Sequence, residues 1–229
     1  GASGYVWPAG TELDLSVHAI EMVYVAEGAF HVGSGGTESG SFTEGSWLSG
    51  ATIPFMIAGE GEIELGSEPG KLWGTSTSGY NSIGGVGSLP AAFPKGYAPF
   101  YCMKYAIYKN SNPNGPARVG LFAIPGATRV EAGASYWGIM ELSGNVWERT
   151  VSVTNGRFFT GMHGDGTLLA NGNADAADWP GTNASGAGER GGNWYEAASN
   201  ARASDRYLAA IVYAKRDLNR GGRAVRSAP

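Results

Sequence analysis

Two acidic residues flank a turn-like segment in the middle of the chain, residues 141–148 (ELSGNVWE). Carboxylates combined with loop carbonyl oxygens suit a hard cation such as Ca²⁺, which takes about six to eight oxygen ligands. A Ser/Gly/Asn turn between two strands, with both glutamates in solvent, explains the same pattern. The residues alone leave the metal site and the simple turn open.

The single cysteine of the chain is Cys102, which lies in an aromatic segment between Tyr101 and Met103. A nucleophilic thiol needs a nearby base and partial exposure. Lys104 would share its face on a strand, since alternate residues do so. No Cys/His pattern accompanies it, however, which favours a buried Cys102 that acts as a small hydrophobe.

The three histidines, His18, His31 and His163, are far apart in the sequence. None has a second histidine at ligand spacing, so we expect structural or solvent roles for His18 and His31. His163 belongs to the segment 161–166 (GMHGDG). That segment predicts either a turn fixed by Asp165 or part of a ligand site.

Several arginines lie close together near the C-terminal end, and such a group could mark an anion site. Asp205 and Asp217 are interspersed among them. In a glycine-rich chain we therefore favour buried Arg–Asp pairs. The arginines concerned are Arg190, Arg202, Arg206, Arg220 and Arg223.

The composition excludes several classes of protein. Gly accounts for 38 of the 229 residues without a three-residue period, which excludes collagen. A net charge of −4 and 11% aromatic residues argue against disorder, and one cysteine excludes a disulfide framework. The 16 basic and 20 acidic residues give no indication of nucleic-acid binding. No apolar run approaches the roughly 18 residues of a membrane span.

Short strands separated by long loops are expected to position these residues. Alternation and β-branched content predict strands near 22–25, 53–57, 63–65 and 93–109, and a last strand near 223–226. Residues 30–33 are predicted to pair with 22–25 as a hairpin. The Ala-rich segment 195–211 is the one candidate for a sustained helix, with an Ala-rich loop as the alternative.

Five segments, taken in order, resemble motifs of the formylglycine-generating-enzyme (sulfatase-modifying factor) family. The resemblance implies an α+β protein with the C-type-lectin fold: short antiparallel strands, about two helices and much ordered loop. It divides the chain into an N-terminal extension, 1–20, and one domain, 21–229. The segments are 22–34 (with MVYV and GAFHVGS), 100–105 (FYCMKY), 138–148 (GIMELSGNVWE), 190–194 (RGGNW) and 222–226 (GRAVR).

The departures from the family argue against its enzyme activity. The enzymes keep two cysteines at positions that fall near Glu196 and Ala201, and Cys102 lies in a different element. The related sulfoxide synthases use a histidine-rich iron site that three scattered histidines do not supply. We therefore expect no catalytic residues, with a formylglycine-generating-type oxidase using Cys102 as an alternative.

The resemblance also implies a structural calcium ion that orders the loop. Carried over, its ligands are the Glu141 side chain, the Gly144 and Val146 carbonyls and the Glu148 carboxylate. An acid stands at Glu141 where the enzymes have an amide, and it should still ligate.

The chain further resembles the variable proteins of diversity-generating retroelements. In these, the region from the Arg-Gly-Gly-Xaa-Trp motif onward is diversified at adenines, which corresponds here to 190–226. Seven residues of this region are reachable from diversified Asn codons, whereas Glu196 and Lys215 are not. Tyr and small polar residues also suit a binding surface. The seven are Tyr195, Ser199, Asn200, Tyr207, Tyr213, Asp217 and Asn219.

The expected function is thus ligand binding through a hypervariable C-terminal surface. A viral or phage structural domain with fixed receptor specificity is a further alternative. We expect a monomer whose partner is an unidentified protein or cell-surface ligand. No charged-then-apolar signal segment follows the start of the chain, and the compartment stays open, with a virion or a cell surface among the expectations.

Overall fold

The computed structural model describes a chain built from short β-strands. It covers residues 19–38, 40–45, 51–75, 87–108, 115–117, 119–151, 167, 169–176, 179–184, 187–215 and 217–229. Its strands are β1 (Met22–Val25), β2 (Phe30–Val32), β3 (Phe42–Glu44), β4 (Phe55–Ile57), β5 (Ile63–Leu65), β6 (Leu72–Gly74), β7 (Gly87–Leu89), β8 (Phe100–Met103), β9 (Ile107–Tyr108), β10 (Trp147–Val151), β11 (Ala187–Arg190), β12 (Arg220–Gly222) and β13 (Val225–Ser227).

These strands form small sheets with many long-range pairings. The strand orders are β1-β8-β13, β11-β10-β12-β9, β2-β4 and β3-β6-β5-β7. Most neighbours are antiparallel, while β10–β12 and β5–β6 are parallel. The predicted hairpin of 22–25 with 30–33 is wrong, because β1 pairs with β8 and β2 pairs with β4.

The sheet of β1, β8 and β13 shows the two-residue alternation of a strand. Val23 and Val225 both lie opposite Cys102 in the register. At the next position in the register Tyr24 lies opposite Tyr101, and the centroids of their rings are 5.4 Å apart. Since successive side chains point to opposite faces, this sheet has an apolar side and an aromatic side.

The larger core lies around β5, β6 and β7. Leu65, Leu72, Leu89 and Phe93 are buried together there. Val151 at the end of β10 packs against them, which links this core to the sheet that carries the C-terminal motifs.

The expectation of an α+β lectin-type fold with about two helices is contradicted. Among the described residues the structure is nearly all β, with no helix of seven residues or more. The candidate segment 195–211 contains only a 3₁₀ helix, Ala198–Ala201, which no side chain caps at its start. The side chains of Asn193 and Asp205 accept hydrogen bonds from backbone N–H groups on either side of it. Such contacts compete with the hydrogen bonds of a helix, so the segment turns.

In the described part of the chain, no helix is long and apolar enough to cross a membrane.

Candidate functional site

Arg223 connects the C-terminal strand region to the 141–148 segment through hydrogen bonds. Its Nε donates to both carboxylate oxygens of Glu148 at 2.9 Å, and Nη2 donates to the same carboxylate. Nη1 donates to the carbonyls of Met103 and Lys104 at 3.0 and 3.1 Å, and Nη2 to that of Met140 at 3.0 Å. The Arg223 side chain is only 5% exposed. An internal pair for Arg223 is confirmed, but its partner is a glutamate and not the expected aspartate.

Glu141, the other predicted carboxylate ligand, is held inside the turn. Its Oε1 accepts the Gly120 N–H at 3.0 Å, and its Oε2 accepts the Asn145 side-chain amide at 2.8 Å. The Gly144 carbonyl accepts the Val146 N–H at 2.8 Å. Asn145 Oδ1 is buried without a hydrogen-bond partner. The predicted ligands therefore lie on the turn and at the start of β10, and the oxygens of Glu141, Gly144 and Glu148 already accept hydrogen bonds from the protein.

A calcium ion fits this donor set only in part. The unpartnered Asn145 Oδ1 suits a hard cation. Glu148, however, would have to leave the Arg223 guanidinium to bind a metal. Among the described residues, no group of three or more His, Cys, Asp or Glu side chains could hold a metal ion. Calcium at Glu141, Gly144, Val146 and Glu148 thus stays a prediction.

Two glycines allow the 190–194 motif to lie against this turn. Gly191 and Gly192 have φ values of 93° and 74°, which side-chain-bearing residues rarely adopt. A Cβ on Gly191 would lie 2.9 Å from the Leu142 carbonyl oxygen, and one on Gly192 2.9 Å from the backbone of Asn200. Close backbone approach therefore requires glycine at both positions.

Part of the predicted variable set lies on the surface just beyond these glycines. Tyr195 is 76% exposed and Tyr207 is 47% exposed, and Ser199 is also exposed. The Tyr195 ring meets the exposed Trp194 ring edge-on at 5.7 Å between centroids. Asn200 is half-buried and donates from Nδ2 to Glu196 Oε2 at 2.9 Å.

The remaining predicted positions, Tyr213, Asp217 and Asn219, gather around Arg220. Arg220 Nη1 donates to Asp217 Oδ2 at 3.1 Å and to Asn219 Oδ1 at 3.0 Å. Tyr213 donates its hydroxyl to Asp217 at 2.7 Å, and this hydrogen bond raises the pKa of Tyr213. The Arg220 guanidinium lies 4.0 Å from the Tyr213 ring centroid. It also donates to the fully buried Glu189 at 2.7 Å. These three positions therefore support an internal ion pair.

Buried polar side chains hold the backbone under the exposed positions. Asn193, Asp205 and Arg206 are 6%, 5% and 3% exposed. Arg206 donates to the Gly40 carbonyl at 2.8 Å and stacks 4.1 Å from the Phe42 ring centroid. Burial lowers the pKa of Arg206 to about 9. This contact between the C-terminal segment and the chain at the start of β3 could not be predicted from the sequence, because 166 residues separate the two bonded groups.

The candidate nucleophile Cys102 is 4% exposed and packs in the small core with Val25 and Ile139. Burial raises the pKa of its thiol. Lys104 donates instead to Glu21 at 2.6 Å. These surroundings match the expectation of a buried small hydrophobe.

Of the three histidines, only His31 belongs to the described part of the chain. It is exposed on β2, opposite Met56 in the register with β4. His18 and His163 lie outside the described residues.

Comparison of the chain with protein-family models, with curated proteins and with solved structures finds no match. The resemblance to the formylglycine-generating-enzyme family and to retroelement variable proteins therefore depends on the motifs quoted above and stays a prediction.

Proposed function

We propose that the chain is a non-catalytic ligand-binding protein that displays a variable surface within residues 190–226. The motif resemblance to retroelement variable proteins suggests diversification of this region. One observation carries the proposal: Tyr195, Ser199 and Tyr207 are exposed on a segment whose backbone is held by buried side chains.

In this arrangement, the exposed side chains proposed to vary differ from the buried side chains that hold the backbone in place. Exposed side chains away from special contacts usually change stability by no more than about 0.5 kcal/mol when replaced. Tyr195 and Tyr207 supply large contact area at low cost in conformational entropy, and Ser199 supplies an adaptable hydrogen-bonding group. Asn193 and Asp205 keep the backbone in place beneath them through side-chain-to-backbone hydrogen bonds.

We propose a smaller contact surface than the whole region 190–226. Tyr213, Asp217 and Asn219 contact Arg220, which pairs with the fully buried Glu189. Changes there would disturb an internal ion pair, whereas changes at Tyr195 would not. The contact surface is therefore proposed to consist of Tyr195, Ser199 and Tyr207, with Asn200 at its edge.

Thiol chemistry is not part of the proposal. The oxidase alternative depends on Cys102, and a buried thiol with a raised pKa is a poor nucleophile at neutral pH. No other described residue supplies the second thiol, since the chain has one cysteine.

The DNA beside the gene tests diversification. A near-copy of the codons for 190–226 that differs at adenines, next to a reverse-transcriptase gene, is the expected finding. Its absence contradicts diversification and leaves a binding surface of fixed specificity.

Two matched libraries test the surface itself. One randomises Tyr195, Ser199 and Tyr207, and the other Tyr213, Asp217 and Asn219. We expect most members of the first library to display as folded, protease-resistant protein and far fewer of the second. Equal folded fractions would contradict the separation of contact and support positions.

A further inference from the structure

Two adjoining cavities lie beside the larger core, and their described linings do not include Tyr195, Ser199 or Tyr207. One has a volume of about 230 Å³ and the other about 570 Å³. Val32, Phe42 and Arg190 line both, so the two share a boundary. Small-molecule sites typically occupy about 300–1,000 Å³. The two cavities together fall in this range.

The smaller cavity combines apolar walls with cationic groups. Phe30, Ile57 and Phe93 contribute apolar surface, and Phe30 is 37% exposed at its edge. Arg190 and Arg206 also line this cavity together with one lysine, and its described lining includes no aspartate or glutamate. Apolar walls with positive charge and no carboxylate favour an organic anion over a cation or a sugar.

The larger cavity has a cationic wall as well. Arg190 and Arg202 line it, and Glu38 is the one carboxylate among its described lining residues. Glu38 already accepts the Ser34 hydroxyl at 2.6 Å, and this hydrogen bond lowers the pKa of Glu38. The lining therefore has more positive than negative side chains.

Arg190, which lines both cavities, keeps unused donor capacity. Its Nη2 donates to the Ala203 carbonyl at 2.7 Å, while Nε is buried without a hydrogen-bond partner. A guanidinium carries five N–H donors in a planar fork that matches an oxyanion. A buried N–H that lacks a partner is costly, and a ligand oxygen would remove this cost.

The electrostatics of the buried groups agree with this geometry. Burial lowers the pKa of Arg190 and of Arg206, and the charge of Arg190 contributes to the shift at Arg206. Asp205 attracts Arg190, but its Oδ1 accepts the Tyr207 N–H at 3.0 Å, and burial raises the pKa of Asp205. Arg190 is thus a largely buried cation whose Nε still lacks a hydrogen-bond partner.

We propose that the adjoining cavities form a binding site for an amphipathic organic anion. Its oxyanion group pairs with Arg190 and its apolar part occupies the cavity lined by Phe30, Ile57 and Phe93. This site is distinct from the Tyr195, Ser199 and Tyr207 side chains and does not depend on the proposed function.

Isothermal titration of the full chain tests the site with octanoate as the probe. Octyl phosphate shows whether a phosphate head group is also accepted, and octanol and inorganic phosphate supply the tail and the head group alone. We expect octanoate, octyl phosphate or both to bind at least tenfold more tightly than octanol and inorganic phosphate. Inorganic phosphate that binds as tightly as both amphiphiles, or folded protein that binds neither, overturns the proposal.

Matched variants locate the binding. Arg190→Gln should weaken octyl-anion binding at least tenfold, whereas Arg226→Gln, the same charge change on an exposed strand, should leave it within twofold. Val32→Phe narrows both cavities without altering charge and should also weaken binding at least tenfold. Circular dichroism and thermal unfolding verify that each variant is folded. If Arg190→Gln does not fold, Val32→Phe decides, and unchanged affinity in a folded variant of either kind overturns the proposal.

Discussion

Replacement of Arg223 by Met should be among the most destabilising single changes in this chain. The guanidinium is 5% exposed and its partner Glu148 is 12% exposed, so the change leaves a largely buried carboxylate without a counter-charge. Breaking a buried pair in this way costs about 3–5 kcal/mol. The Lys104 carbonyl keeps the Met140 N–H at 2.9 Å, which limits the additional loss. A loss of about 3–5 kcal/mol is a large part of the 5–15 kcal/mol that is typical of folded domains.

Urea unfolding followed by circular dichroism measures this loss as a lower midpoint at constant slope. Arg226→Met is the matched control, because Arg226 is exposed and its described contact is with the Tyr101 ring at 5.3 Å from the centroid. We expect that variant to lose about 0.5–1 kcal/mol. The Arg223→Met/Glu148→Gln double variant should recover at least about 1 kcal/mol, since the unpaired charge is gone. A loss below about 1 kcal/mol for Arg223→Met, or no recovery in the double variant, refutes the reasoning.

Three further measurements address the calcium prediction, the thiol and the acid response. Calcium added after chelation should raise the melting temperature of the protein, and Glu141→Ala should abolish the rise; a melting temperature indifferent to calcium contradicts the predicted site. Because burial raises the pKa of Cys102, a thiol reagent at pH 7 should react much more slowly with native than with urea-unfolded protein, and equal rates would argue against burial. At Glu60, burial acts to raise the carboxyl pKa, but the backbone N–H groups of Lys95, Tyr97 and Ala98 and the charge of Lys95 lower it below 4.5 overall. The stability that this carboxylate contributes is present above pH 4.5 and lost as the pH falls through the folded-state pKa, so Glu60→Gln should flatten the acid limb of a stability–pH curve. A limb as steep as that of the wild type would exclude this role.

The positions of several strands could be predicted from the sequence. Segments 22–25 and 63–65 correspond to β1 and β5, and the aromatic segment 93–109 contains β8. β-Branched and aromatic content over a few residues is a local property, and it can be recognised without knowledge of a partner. The buried state of Cys102 was likewise predicted, because no Cys/His pattern accompanies it in the sequence.

The partners of these elements were not predictable in the same way. The pattern near 22–25 predicted a hairpin with 30–33, yet β1 pairs with β8. A strand pattern records which residues suit a sheet, but not which distant segment completes it. Of the two alternatives for 195–211, a helix or an Ala-rich loop, the helix is wrong for a related reason. Alanine favours a helix locally, but Asn193 and Asp205 bind backbone N–H groups instead.

The candidate sites were also predictable in part from the sequence and in part only from the tertiary structure. Residue types by themselves predicted internal ion pairs for the arginines, which the described residues show for Arg220 and Arg223. They also predicted that Tyr and Ser would suit a binding surface, which stays a prediction. Only the tertiary structure decided that Arg223 pairs with Glu148, that Tyr195 is exposed and that Tyr213 supports Arg220. It also placed Arg190 against two cavities. Charge and side-chain chemistry are properties of single residues, whereas burial and pairing depend on segments that the fold brings together from distant parts of the chain.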